Sequence, residues 1–299
     1  MLKLCTFSNK GISRVGILRL DGKVIDLEQS GVASLKNVCR DMISVIEGGD
    51  EILSNLHELA NRPPDVTLLS EGSYKLLAPI PRPKRNVFCV GKNYLDHVHE
   101  INKKAGAAVA TDLPKFAQFF TKAPECVIAT GDHVPAHIGV TKWLDYEVEL
   151  AVIIGKVGKN ISADKALDHV YGWSIGNDVT ARDVQKNHVQ FFKGKTLDGS
   201  CPMGPCIVPR SSLDVSDISM KLWVNEGLRQ NGRTSQMIFK VPEIILQLSA
   251  GFTLRPGDII LTGTPAGVGY AMSPPQSLKP GDSIKIEVEH IGVLENLVI

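Results

Sequence analysis

The chain has 299 residues, 43% hydrophobic and 22% charged, and 33 Lys and Arg against 32 Asp and Glu give it a formal net charge of +1. That balance excludes the broad basic field of a nucleic-acid binder and excludes an acidic tail, and the length suits one large domain or a large and a small one. No run approaches the roughly 18 apolar residues of a membrane span, and the first residues lack the apolar core of a signal peptide. Six scattered cysteines without C-x-x-C spacing then read as reduced thiols of a cytoplasmic protein.

Residues 1–76 read as a small α/β module. Arg14 to Leu27 forms two short strands around Asp21-Gly22, a strong hairpin signal. Amphipathic segments follow near 34–47 and 50–60, the second with Ile52, Leu53, Leu56 and Leu59 at helical spacing. Prolines at 79, 81 and 83 stiffen the chain, and the boundary to a second domain, 77–299, is placed there.

Asn86 to Gly91 reads as a buried strand, and the segment Lys92 to Glu100 after it opens a helix. On a helix His97 and Glu100 share a face, and a carboxylate beside an imidazole orients it and raises its basicity. A surface helix with ordinary i,i+3 pairs is the plainer reading. Residues 102–112 are small and polar without an apolar period, which suits a mobile lid.

The stretch Asp145-Tyr-Glu147-Val-Glu149-Leu-Ala-Val-Ile-Ile-Gly155 alternates strictly. On a strand, Tyr146, Val148, Leu150, Val152 and Ile154 make an apolar face, and Asp145, Glu147 and Glu149 lie on the other. Side chains two apart on a strand are roughly 7 Å apart, so two carboxylates reach a common point. Three like charges repel unless a cation sits among them, and an all-oxygen set suits Mg²⁺ or Mn²⁺ better than Zn²⁺. The other reading is a half-exposed strand showing its acidic side to water.

Tyr171 to Asn177 reads as a second strand, delivering Asp178 just before Thr180-Ala-Arg-Asp183, a capping box that opens a helix through about Val189. If the two strands pair, Asp178 joins Glu147 and Glu149 around one ion; otherwise it caps backbone amides. Phe191 to Pro205 is rich in glycine and proline and reads as a loop carrying Lys193 and Lys195. A lysine beside a carboxylate-bound cation would face negative charge on a ligand; an unpaired surface lysine is the alternative. Near the carboxy terminus, Arg255-Pro-Gly-Asp258 and Lys279-Pro-Gly-Asp282 are turns that feed strands. Between them, Thr262 to Gly269 offers backbone amides and the Thr264 hydroxyl to an anion, without the Gly-Lys-[Ser/Thr] of a P-loop.

Taken in order, Gly91-Lys-Asn-Tyr-Leu-Asp-His97, Asp145-Tyr-Glu-Val-Glu149, Asn177-Asp-Val-Thr-Ala-Arg-Asp-Val-Gln185, Gly194-Lys195 with Cys201-Pro-Met-Gly-Pro205, and Gly257 to Gly269 resemble the fumarylacetoacetate hydrolase superfamily. The resemblance runs over residues 86 to 299, and more weakly over the amino-terminal module. It implies an α+β protein with a mixed β-roll catalytic domain, a homodimer binding Mg²⁺ or Mn²⁺ through Glu147, Glu149 and Asp178. Lys195 would be the active-site lysine, and Gln185 and Thr264 would contact substrate. His97 and Glu100 match the dyad of the acylpyruvate hydrolase and oxaloacetate decarboxylase branch. The further Asp ligand of fumarylacetoacetate hydrolase proper has no counterpart here. The implied chemistry is metal-dependent C–C cleavage of a 2-oxo acid, by hydrolysis or decarboxylation through an enolate. Isomerisation or tautomerisation of a related acid stands second, and a binding protein that keeps the fold stands third.

Overall fold

The computed structural model describes residues 1–64, 67–104 and 114–299. The acidic stretch becomes strand Val148–Ile154, buried at every position. It pairs antiparallel with Val170–Asn177 on one side and with Ile259–Leu261 on the other. Beyond Ile259–Leu261 lie Val87–Gly91, paired in parallel, and then Gln118–Lys122. Beyond Val170–Asn177 lies Cys201–Pro209. Among the described residues these strands belong to one mixed sheet of twelve. Near-continuous runs of Val, Ile and Leu fit strands covered on both faces.

Two layers pack on that sheet. The apolar face of the acidic strand shares a core with a five-stranded sheet that includes Ser219–Val224, Ser283–Val288 and Gly292–Val298. Those strands alternate, with Met220, Leu222, Ile284, Ile286 and Leu294 turned inward. Elsewhere helices Met42–Glu47 and Gly49–Asn61 bury Ile46, Ile52, Leu56 and Leu59 in a cluster that also holds Ile153, Ile207 and Ile259. Helices beside a largely antiparallel sheet make the fold α+β.

The hairpin at Asp21-Gly22 is present, with Ile12–Leu18 paired to Val24–Asp26. A strand absent from the sequence reading, Leu4–Asn9, pairs with Ile12–Leu18 and joins Cys201–Pro209 at Leu4↔Ile207. Hydrogen bonding therefore runs without a break from the amino-terminal strands into the sheet that carries the acidic strand. Both Pro-Gly-Asp turns form, and each is closed by its own aspartate: Asp258 accepts from the Arg255 amide at 2.7 Å and Asp282 from the Lys279 amide at 2.8 Å.

Two expectations need correction. The glycine- and proline-rich stretch does not run as a loop to Pro205; it forms the short helix Phe192–Lys195 and then the buried strand Cys201–Pro209. Neighbours on both sides supply the burial that composition hides. The capping box does not form either. Helix Arg182–Asn187 has no side-chain cap, Thr180 donates to the Asp178 carbonyl, and Asp183 is taken by Thr141 and the Lys142 amide. The lid expectation falls largely on 105–113, outside the described residues. All six cysteines are free and buried, and no described helix is long and apolar enough to cross a membrane.

Candidate active site

The site grows from the register between two strands. Val148 opposes Asn177, so Glu147 and Asp178 emerge side by side at the strand ends. The Asp178 amide donates to the Glu147 carbonyl at 2.9 Å, and the Glu147 amide donates to the Asn177 side chain at 3.0 Å. Oxygens of Glu147, Glu149 and Asp178 lie within 4.8 Å of one another, and all three residues are buried. The acidic side of this strand does not face water.

Asp145 leaves the group. The strand breaks at Tyr146-Glu147, and Leu144–Asp145 pairs instead with Thr180–Ala181. There Asp145 accepts from the Gly269 amide at 2.8 Å, from the Tyr270 amide at 3.0 Å and from Arg182 at 2.9 Å. Alternation predicted three carboxylates on one face; the break turns one of them into an anchor for Arg182.

Three cations balance the cluster. The Lys195 ammonium bridges Glu147 at 2.9 Å and Asp178 at 2.7 Å. Arg182 reaches Glu147 at 2.7 Å while held by Asp145. Lys122, fully buried, donates to Asp178 at 2.7 Å, to the Val179 carbonyl at 3.1 Å and to the Lys195 carbonyl. Burial alone would pull the Lys122 ammonium towards neutrality, but the Asp178 charge outweighs it and the lysine stays charged. Lys122 and Arg182 carry no role in the sequence reading. A lone lysine ending the strand Gln118–Lys122 was the available signal, since a buried lysine needs a partner.

The two glutamates differ. Burial raises the Glu147 carboxyl, but Lys195 and Arg182 more than reverse this and bring it down to about 2. Glu149 is driven the other way, well above the ordinary carboxylate range, first by burial and then by the charges of Asp178 and Glu147. Lys195 and the Gly263 amide, which donates to it at 2.7 Å, oppose this without reversing it. A buried all-carboxylate set that leaves one member starved of positive charge fits a hard divalent cation.

Helix Leu95–Lys104 brings His97 and Glu100 to the same cavity, with His97 Nδ1 2.7 Å from Glu100 Oε1. The other Glu100 oxygen accepts from the Gly267 amide at 2.9 Å. With Glu100 accepting on both oxygens, Nδ1 is the donor and Nε2 keeps its lone pair. The sequence offered the glycine loop's amides to an external anion, but three of them have partners within the protein. Gly263, Gly267 and Gly269 spend them on Glu149, Glu100 and Asp145. Glycine is required at 267 and 269, where a Cβ would overlap the carbonyls of Arg229 and Gln276.

The cavity has a volume of about 280 Å³ and is lined by Glu147, Glu149, His97, Lys195, Gln185 and Thr264, with Phe120, Phe191 and Ile101 as apolar walls. Thr264 accepts from the buried Gln230 at 2.8 Å, and Gln230 also receives the Val148 amide at 3.0 Å. All eight residues named as site candidates from sequence thus lie at or beside one cavity. The histidines just before the acidic strand in sequence, His133 and His137, stand apart from it: His137 is bound to the Asp198 carbonyl, and His133 is exposed in a different sheet. A larger cavity, about 680 Å³ around Trp173 and Met237, holds no such constellation.

A family model, the fumarylacetoacetate (FAA) hydrolase C-terminal model, matches residues 86–299. Over 293 residues, 95% of both chains, the protein is 44% identical to the oxaloacetate tautomerase YisK of Bacillus subtilis. A fumarylacetoacetate hydrolase from Exiguobacterium antarcticum is 40% identical with a TM-score of 0.82, over 100% of this chain and 99% of that one. The maleylpyruvate hydrolase of Sphingobium sp. SYK-6, solved with manganese and pyruvate, is 26% identical with a TM-score of 0.77, over 99% and 98% of the two chains. The order of motifs, the carboxylate geometry and these matches agree, and the chain belongs to the fumarylacetoacetate hydrolase family.

Proposed function

We propose that the protein is a divalent-metal-dependent enzyme that interconverts keto and enol forms of a 2-oxo acid of the oxaloacetate type. One observation carries this: a histidine oriented by a glutamate lines the same pocket as Glu147 and Glu149, two of the three convergent carboxylates. Similarity over 95% of the chain to an oxaloacetate tautomerase moves tautomerisation ahead of C–C cleavage, reversing the order in which the motifs alone placed them.

Glu147, Glu149 and Asp178 would hold Mg²⁺ or Mn²⁺, which when bound supplies concentrated positive charge next to the oxygens of a 2-oxo acid. The chain does the rest. His97 Nε2 takes the proton from C3; the C3–H electron pair becomes the C2–C3 double bond, and negative charge moves to the 2-oxygen. Lys195 stands beside that developing charge as a fixed cation. Thr264, already accepting from Gln230, has its own hydroxyl proton left to donate, and Gln185, which also lines the pocket, offers an amide. Return of the proton to the 2-oxygen completes the enol. Phe120, Phe191 and Ile101 give the pocket apolar walls, and the less water stands against them the stronger the charge interactions inside.

A second reading rests on the same dyad. His97 could instead activate water against the distal carbonyl of a 2,4-dioxo acid, and the structural likeness to a maleylpyruvate hydrolase favours keeping it. The decisive measurement is the decay of enol oxaloacetate absorbance with and without Mg²⁺ or Mn²⁺, beside pyruvate release from acylpyruvates and from oxaloacetate. We expect His97→Ala to slow enol–keto conversion roughly 10²- to 10⁴-fold, the range of a positioned proton carrier. Unchanged conversion with lost pyruvate release would move the assignment to cleavage.

A further inference from the structure

Lys195, Lys122 and Arg182 are each committed to carboxylates of the site. Lys92 and Lys186 also line the cavity, and neither makes an ion pair among the described residues. Lys92 is the better placed of the two. It sits in the left-handed region at φ 56°, a conformation that is unfavourable for a non-glycine residue. The chain around it enforces this. The next residue, Asn93, is buried and donates to the Thr262 carbonyl at 2.7 Å and the Phe239 carbonyl at 3.0 Å, while accepting from the Phe239 amide at 2.8 Å. Strain held in place by such a clamp, next to a site, points to a task for the strained residue.

Register supplies the distance. Ala151 opposes Leu261, and Leu261 is level with Cys89. Two residues further on, Glu149, Gly263 and Gly91 fall in one row, and the Gly263 amide does bond Glu149. At about 4.8 Å per strand the backbone at Gly91 lies roughly 10 Å from that at Glu149. A four-carbon acid with its first carboxylate and keto oxygen at the acidic cluster and Lys195 has a length that, with the reach of a lysine side chain, can span that separation.

We propose that Lys92 receives the second carboxylate of a 2-oxo dicarboxylate and so selects diacids over monoacids of equal length. The inference rests on the 2-oxo acid reading of this site and adds the class of acid. Oxaloacetate and 2-oxobutyrate form the matched pair, since a methyl group replaces the distal carboxylate in the second. Both are titrated calorimetrically into the full-length protein with Mg²⁺, and C3 hydrogen–deuterium exchange is followed by NMR. The wild type should bind oxaloacetate more tightly. In Lys92→Met the ratio of the two affinities should fall about tenfold or more, the worth of a charge-assisted hydrogen bond, and Lys92→Arg should restore most of it. In Lys186→Met the ratio should stay within about twofold, as for a cation that touches neither end of the acid. A wild-type preference that survives in Lys92→Met, or that Lys186→Met alone removes, would overturn the assignment while leaving the 2-oxo acid site intact. A wild type that binds neither acid would overturn both.

Discussion

Replacing Glu149 with alanine should abolish metal-dependent turnover, with a loss of roughly 10³-fold or more, because a divalent charge at a reacting oxygen is worth several kcal/mol. Of the three carboxylates Glu149 is the one in the most negative surroundings, buried between Asp178 and Glu147. Its neighbours already have cations of their own, Lys195 and Arg182 on Glu147, Lys195 and Lys122 on Asp178. Among the described residues Glu149 is bound by one backbone amide, from Gly263. It thus depends most on an added cation, and the cation on it. Removing it should also relieve repulsion, so the variant should be folded and at least as resistant to urea as the wild type without metal. A variant that keeps Mg²⁺-stimulated activity within about tenfold of the wild type would defeat the metal reading.

The largest effect on stability should come from Lys122→Met. The side chain is fully buried and satisfies a carboxylate and two carbonyls. Methionine fills similar space but leaves Asp178 short of one partner and the Val179 carbonyl without its lysine, while the Lys195 carbonyl keeps the Ser200 hydroxyl at 2.9 Å. Breaking a buried pair from one side costs about 3–5 kcal/mol, far more than the pair itself is worth against a hydrophobic replacement. The expected result is a lower urea midpoint with an unchanged slope. A loss below about 1 kcal/mol would mean that Lys195 takes over the Asp178 oxygen and that Lys122 is dispensable.

Much of the site could be read in the sequence because its central unit is local. The E-x-E spacing on a strand, the i,i+3 spacing of His97 and Glu100 and the position of Asp178 at a strand end each depend on a few neighbouring residues. What stayed hidden depends on partners far along the chain. Lys122 reads as an ordinary strand lysine until Asp178, 56 residues away, is placed against it. The amides of the glycine loop read as open to a ligand, yet Glu100 and Asp145, 167 and 124 residues from their donors, claim them. Asp145 followed the alternation only until Arg182 offered a stronger partner than a shared face. In the fold, Cys201–Pro209 was hidden because proline and glycine suggest a loop, whereas its flanking strands supply the hydrogen bonds and burial that make it a strand. Leu4–Asn9 has no turn signal of its own and is defined by the strands it touches.

The junction at Leu4 and Ile207 has a practical result for anyone who would cut the protein down to its family-matched portion. A fragment starting at Asn86 would keep the pairing of Cys201–Pro209 with Val127–Ile128 but bare its flank at Ile207, together with the greasy side chains of Ile153, Ile207 and Ile259. Such a rim is a template for strand-by-strand stacking with other copies. The shortened polypeptide should therefore precipitate or elute as high-mass species in gel filtration, and restoring residues 1–85 as a separate piece should return it to solution.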